Sequence, residues 1–227
     1  MGRRGKRYKE LKKAINAENT YLIKECIQLI KSGKKTKFDE TVDISINLGV
    51  DPKQSDQIVK GVVNLPSGTG KKTRVAVFAK DNKKKEAEDA GADYVGAEDL
   101  ALKFEKENLN VDRVLATPDM MALVGKLGKV LGPKGLMPNP KMGSVTQDVS
   151  KAIEDIKKGQ IEFKTDKSGI VHAGIGKLSF SEDKIEANIV NFIEAIIKAK
   201  PSGSKGTYLK DIYVSTTMGP SIKIANK

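Results

Sequence analysis

A period of two in hydrophobicity marks FDETVDISINLGV, residues 38–50. Its apolar side chains fall at alternate positions: Val42, Ile44, Ile46 and Leu48. Successive side chains of a strand point to opposite faces, so this spacing predicts a strand with one face in a core and the other face open. By contrast, RVAVFA at residues 74–79 is apolar without interruption, which predicts a strand buried on both faces. We therefore expect two kinds of sheet in one chain.

On either side of residues 38–50, both ends of the chain combine strands of alternating hydrophobicity with amphipathic helices. TYLIKECIQLIKSG, residues 20–33, has apolar residues at helical spacing and predicts a helix that Gly33 ends. IEFKTDKSGIVHAGIGKL, residues 161–178, predicts a hairpin with its turn at residues 166–169. SEDKIEANIVNFIEAIIKAK predicts the longest helix, and YLKDIYVSTTMGPSIKI predicts a final pair of strands.

The middle of the chain instead alternates short apolar strands with helical stretches. After RVAVFA, strands are expected at residues 93–95 and in RVLATP, residues 113–118. The helix between them is expected to point three side chains mostly inward: Leu100, Leu102 and Phe104. This order is typical of a small α/β unit with a parallel sheet.

The different patterns of the chain ends and of the middle section predict two domains. The polar, Gly-rich SGTGKK, residues 67–72, is the best candidate for the first boundary, and Gly159 ends the last helix of the middle section. The expected fold class is α/β and α+β. A discontinuous sheet-and-helix domain would comprise residues 1–66 and 160–227, and a small parallel-sheet α/β domain, residues 67–159, would be inserted in it.

The charge balance favours a polyanionic partner. The chain has 41 Lys and Arg residues against 29 Asp and Glu residues, a net charge of +12. Residues 67–159 hold 17 of these basic residues against 14 acidic ones, so most of the surplus belongs to the two ends. One cysteine excludes an internal disulfide and fits a reducing cytosol. No run of 18 apolar residues exists, so we expect a cytoplasmic protein without a membrane partner.

Three stretches are candidates for nucleic-acid contact. The basic start, with Arg3, Arg4, Lys6 and Arg7, suits phosphates, although a solvated tail would look alike. Lys37 and Phe38 could meet a phosphate and a ribose or base, unless Phe38 is a core residue. VSTTMGPSIKI offers hydroxyl groups, an adaptable methionine and a glycine that permits close approach. Its alternative is a simple turn, and its candidate residues are Ser215, Thr217, Met218 and Gly219.

Catalytic machinery is not visible in the sequence. One histidine, His172, and one cysteine do not make a metal site, and no second histidine offers a general base, so we expect neither an enzyme nor a cofactor. SGTGKKT resembles a nucleotide loop, but it lacks the Ser or Thr after Lys71 and it precedes a strand. A DNA-binding protein would need a helix that is strongly basic on one face, and none is evident. Aromatic residues are sparse, which favours folded RNA over single strands.

Six stretches, in order along nearly the whole chain, resemble one family. They are GKRYKEL, KFDETVDISINLGVDPKQSDQ, AGADYVG, LGPKGLMPNPK, IEFKTDKSGIVHAGIGK and YLKDIYVSTTMGPSIKI. The family is that of bacterial ribosomal protein L-one, found on the mobile side stalk of the large subunit. Each stretch is weakly specific, but six in register are strongly so.

The resemblance implies a structural ribosomal protein with a discontinuous RNA-binding domain and an inserted domain. Its expected partners are large-subunit ribosomal RNA and its own operon messenger RNA, whose translation it would repress. The stalk is associated with release of deacylated transfer RNA, so transfer RNA would be a partner by proximity. The free protein is expected to be a monomer. A pure repressor that never joins the ribosome would have the same surface.

The resemblance also implies where RNA is contacted. It carries family contacts to Lys37, Phe38 and Thr41, to Asp166, Lys167, Ser168 and His172, and to Ser215, Thr217, Met218 and Gly219. The basic start belongs with them.

Overall fold

The computed structural model describes residues 5–16, 19–33, 36–80, 82–106, 109–204 and 206–225. The helices within these ranges are α1 (Lys6–Ala14), α2 (Ile23–Lys31), α3 (Asn82–Asp89), α4 (Glu98–Lys106), α5 (Met121–Lys126), α6 (Gly128–Leu131), α7 (Val149–Lys158) and α8 (Glu182–Lys198). The strands are β1 (Thr41–Leu48), β2 (Lys60–Asn64), β3 (Val75–Phe78), β4 (Tyr94–Gly96), β5 (Arg113–Ala116), β6 (Gln160–Lys164), β7 (Ile170–Lys177), β8 (Leu209–Thr216) and β9 (Ile222–Ile224).

The chain divides into two compact units. The terminal unit comprises Met1–Gly70 and Ile161–Lys227, and the inserted unit comprises Lys71–Gln160. Buried Asn188 of α8 holds the first break in place, because its side chain donates to the carbonyl of Gly68 and accepts from the amide of Ser67. The loop that leaves the terminal unit is therefore fixed to that unit's own core.

A four-stranded antiparallel sheet forms the centre of the terminal unit, in the order β7, β1, β8, β9. The alternation expected for β1 is confirmed, because its inward side chains, Val42, Ile44, Ile46 and Leu48, are at most 2% exposed. Helices α2 and α8 pack against each other and share one core with these side chains. Since both helices belong to the core side, the polar positions of β1 lie on the open face.

The hairpin expected within residues 161–178 is wrong, although its turn is present. Strand β6 pairs with β2, whereas β7 pairs with β1, and Thr165 and Val171 form an isolated bridge between them. Phe163 is the physical reason that β6 departs. It is buried against Phe192 of α8, with 5.8 Å between ring centroids, and its ring also lies over Gly61 of β2.

The inserted unit contains the expected parallel sheet, in the order β4, β3, β5. Strand β3 is buried at all four positions, which confirms the prediction from RVAVFA. Within α4, Leu100 and Phe104 are buried, but Leu102 is 51% exposed, so the inward expectation was wrong for Leu102. Positions four apart share a helix face, whereas the residue midway between them faces away. Within the described ranges, no helix has the length and apolar character needed to cross a membrane.

Candidate nucleic-acid interface

The open face of the four-stranded sheet is polar. On β1 it presents Thr41, Asp43, Ser45 and Asn47, all partly exposed. Their partners in register on β7 are Lys177, Gly174, His172 and Ile170, and those on β8 include Ser215, Tyr213 and Asp211. Hydroxyl, carboxylate, imidazole and ammonium groups thus line one surface that the helices leave uncovered.

The N-terminal end of β1 meets the turn that follows β8. The amide of Thr217 donates to the carbonyl of Thr41 at 3.1 Å, and the amide of Thr41 donates to Thr217 Oγ1 at 3.0 Å. These bonds place Phe38 and Met218 at the same end of the sheet, where they are 53% and 55% exposed. Phe38 is therefore not a core residue, and two large apolar side chains stand in solvent beside the polar face.

Buried Glu40 ties this end of the sheet together. Its carboxylate pairs with Arg7 of α1 at 2.6 Å and accepts the amide of Met218 at 3.1 Å. Burial opposes ionisation of Glu40, but hydrogen bonds from Thr216, Met218, Arg7 and Thr36 together lower its pKa. One carboxylate thus fixes α1 and the exposed turn to the start of β1.

Gly219 is required by close packing. A β-carbon built at this position would lie 2.3 Å from Thr216 Oγ1, well inside van der Waals contact. The amide of Gly219 also donates to the carbonyl of Thr216 at 3.0 Å, which closes the turn. The Thr-Met-Gly turn therefore has one tight shape that presents Met218 outward.

The turn of residues 166–169 lies at the opposite end of β1. The amide of Leu48 donates to the carbonyl of Gly169 at 3.1 Å, roughly 23 Å along the strand from Thr41 at about 3.3 Å per residue. Asp166 Oδ1 accepts the amides of Ser168 and Ile170 at 2.8 and 2.9 Å. Hydrogen bonds from Ile170 and then Ser168 lower the pKa of Asp166, so its carboxylate stabilises the turn.

His172 links the turn at residues 166–169 to the middle of β1. Its Nδ1 lies 3.0 Å from Ser45 Oγ, and its Nε2 lies 3.8 Å from Asp166 Oδ2. The expected contact residues are therefore not one cluster but a line along β7, β1 and β8. We call this line the strip, and its members are Lys37, Phe38, Thr41, Asp43, Ser45, Asp166, Lys167, Ser168, His172, Lys177, Ser215, Thr217, Met218 and Gly219.

Only two of the four predicted residues of the basic start, Lys6 and Arg7, lie within the described residues. Lys6 is exposed on α1, whereas Arg7 is half-buried in its pair with Glu40. Its Nε is buried, and no described residue accepts a hydrogen bond from it. Arg3 and Arg4 lie outside the described residues. Arg7 therefore serves the internal structure of this surface, whatever else it contacts.

Sequence reasoning missed four residues of this region: Glu40, Asp43, Ser45 and Lys177. The period of two already assigned Asp43 and Ser45 to the open face, so the signal for these two was available. Lys177 could have been found only with the pairing of β7, in which its ammonium donates to Thr41 Oγ1 at 2.9 Å. Glu40 gave no signal, since nothing in the sequence predicts that its carboxylate is buried.

Among the described residues, no group of three or more His, Cys, Asp or Glu side chains could hold a metal ion. Burial raises the pKa of the Cys26 thiol to about 12, so this thiol stays protonated at neutral pH.

A model of the ribosomal protein L1p/L10e family matches residues 29–220. The matched range contains every member of the strip and residues of both units.

Proposed function

We propose that this chain, which belongs to the ribosomal protein L1p/L10e family, holds the stalk of large-subunit ribosomal RNA along the strip. Membership makes it a ribosomal protein that binds ribosomal RNA, and the family is one of structural proteins without catalytic activity. The observation that carries the assignment to the strip is the placement of Phe38 and Met218, both more than half exposed, at the same end of a polar sheet face.

The chemistry of the strip suits a folded RNA. Exposed lysines, Lys37 and Lys167 among them, would contact phosphates and supply much of the affinity. Hydroxyl groups of Thr41, Ser45 and Ser215 can exchange hydrogen bonds with ribose hydroxyls. The strand face is roughly 23 Å long and carries few exposed aromatic side chains, Phe38 at one end and Tyr213 opposite Ser45. Such a face suits the minor groove of a folded RNA better than a run of stacked bases.

We propose further roles for the same surface. The chain would bind a similar fold in its own messenger RNA and repress translation. Within the ribosome it would lie close to departing transfer RNA. The resemblance of six stretches to the bacterial family supports a bacterial origin and a cytoplasmic protein that is monomeric when free. The terminal unit would carry all RNA contacts, and the inserted unit would not be needed for binding.

Filter binding tests the central proposal. The intact protein should bind a stalk fragment of large-subunit ribosomal RNA far more tightly than an unstructured RNA or a DNA duplex of equal length. Equal affinity for all three would reduce the strip to a nonspecific basic surface. Co-sedimentation with large subunits then separates a ribosomal role from a repressor that stays free.

A further inference from the structure

Asp43 places a carboxylate in the middle of the strip. Its side chain is half-buried on the open face, between Thr41 and Ser45. The register of β1 against β7 shifts between Val42 and Asp43, which marks a β-bulge at this point. Bulges re-aim side chains and are frequent next to functional sites.

The carboxylate of Asp43 packs closely over a glycine of the neighbouring strand. Gly174 lies opposite on β7, and a β-carbon built there would lie 3.3 Å from Asp43 Oδ1. The charged and titratable groups that act on Asp43 are Lys177 and His172, both on β7, and its neighbour on β8 is Ser215. Among the described residues, none donates a hydrogen bond to this carboxylate or forms an ion pair with it.

An unpaired, half-buried carboxylate is unfavourable in the free protein. Burial raises the pKa of Asp43, although Lys177 and His172 act in the opposite direction. Such a group also repels phosphates, so it weakens RNA binding unless the RNA supplies a donor. The donors that a folded RNA displays across its wide, shallow minor groove are the ribose 2′-hydroxyls and a few base N–H groups.

We infer that Asp43 accepts a hydrogen bond from a ribose 2′-hydroxyl and thereby selects RNA over DNA. This inference rests on the proposed function, since it requires the strip to be the RNA-binding face. The hydroxyl groups of Thr41, Ser45 and Ser215 around the carboxylate suit a sugar edge, because each can both donate to and accept from another hydroxyl. A 2′-deoxy sugar would leave the carboxylate without its donor.

A deoxy scan tests the assignment. The full-length protein and Asp43→Ala are titrated with the stalk ribosomal RNA fragment and with copies that carry one 2′-deoxynucleotide each. For the wild type, at least one deoxy position should weaken binding roughly tenfold, as expected for a hydrogen bond to a charged group. In Asp43→Ala the same deoxy substitution should have no further effect, because its partner is already gone.

Two variants sharpen this experiment. Asp43→Asn keeps a carbonyl acceptor and should restore part of the deoxy effect. Asp211→Ala removes a carboxylate from the same open face, one that pairs with Lys223 at 2.6 Å, and should leave the whole deoxy profile unchanged.

The outcomes are distinct. Identical deoxy profiles for the wild type and Asp43→Ala would overturn the inference while the proposed function stands. The inference would also fail if Asp43 coupled to no 2′-deoxy position but did couple to a guanosine replaced by inosine, since the donor would then be a base amino group. Failure of the wild type to bind the fragment would overturn the proposed function itself.

A second readout needs no RNA. An acid whose pKa is raised on folding destabilises the fold in its ionised form, so Asp43→Asn should raise the melting temperature at neutral pH. The gain should disappear as the pH falls below 3.8, the ordinary value for aspartate. A melting temperature that does not change would mean that Asp43 already has a donor in the free protein, and would count against the inference.

Discussion

Glu40 combines complete burial with hydrogen bonds from Arg7 of α1 and from the amide of Met218 in the exposed turn. Removal of its charge would leave the guanidinium of Arg7 half-buried without a counter-ion and the amide of Met218 with a weaker acceptor. Burial of a charge without its partner is costly. Glu40 is therefore a positioning residue for the exposed turn, and it has no surface of its own for RNA to contact.

Glu40→Gln should lower the free energy of unfolding of the terminal unit by about 2–3 kcal/mol at neutral pH. Because folding lowers the pKa of Glu40, its carboxylate stabilises the protein above the ordinary value of 4.5, and this contribution is lost as the pH falls through the lowered pKa. Hydrogen exchange at the amides of β1 measures the difference. The difference in exchange should shrink below pH 4.5. Replacement of the exposed Glu194 by glutamine is the control and should not change exchange at neutral pH.

Met218→Asp should weaken binding to the stalk RNA fragment at least tenfold and leave the fold intact, because Met218 is 55% exposed and supports no core packing. A charge at this position would repel phosphates and remove an apolar contact. Met137→Asp is the matched control, since Met137 is an exposed methionine of the inserted unit. Equal losses for both variants would point to net charge instead of the turn.

At the residue scale, the sequence predicted the candidate surface better than its internal supports. Ser215, Thr217, Met218 and Gly219 stood out because a turn of this composition is unusual. Whether Phe38 was exposed could not be decided, because a strand-initiating aromatic is as often a core anchor. The folded structure resolves that question, because Phe38 is 53% exposed in it.

Among the elements, helix α4 shows how a simple periodicity can mislead. The apolar residues at 100, 102 and 104 have a spacing of two, but a helix brings the first and last together and turns the middle one outward. The prediction that β6 and β7 form a hairpin was wrong for another reason. Their turn was read correctly, but the destination of β6 depends on the burial of Phe163 against Phe192, which is a contact distant in sequence.

This geometry predicts unequal costs for two leucines of one helix. Leu100→Ala should lower the free energy of unfolding of the inserted unit by about 2–5 kcal/mol, because it empties a buried site. Leu102→Ala should cost less than about 1 kcal/mol, since half of this side chain already meets water. Urea unfolding of the two variants gives the comparison. Similar losses would mean that Leu102 is covered in solution.

For the whole molecule, charge was the most informative property of the sequence. The net charge of +12 predicted a polyanionic partner, but it could not say which lysines act. The structure sets Lys37 and Lys167 at opposite ends of one sheet face, next to apolar and hydroxyl groups. We therefore expect the lysines of the strip to supply affinity, and its hydroxyl groups and Asp43 to supply selectivity.

Salt titration checks this division. Replacement of both Lys37 and Lys167 by alanine should reduce the slope of log affinity against log salt concentration by about 1–2, one ion for each lost phosphate contact. Lys126 and Lys129 of the inserted unit are also exposed, and their double replacement should leave the slope unchanged. The reverse result would move the phosphate contacts to the inserted unit.

The two separate cores allow the inserted unit to be removed. The terminal unit has its own core between the four-stranded sheet and helices α2 and α8. A chain in which a short linker replaces residues 71–160 should keep its fold and bind the stalk fragment within about threefold of the intact protein. A folded variant of this kind that binds no RNA would place the site outside the terminal unit.

The position of β1 has a consequence for synthesis. Its hydrogen-bonding partners on both sides, β7 and β8, are made more than a hundred residues later. In a nascent chain both edges of β1 are therefore unpaired, while the contiguous inserted unit can already fold. Unpaired strand edges promote aggregation. The surface that Thr41 and Thr217 close together cannot exist until residue 217 has been synthesised. Premature termination products should accordingly be unable to compete with finished protein for RNA.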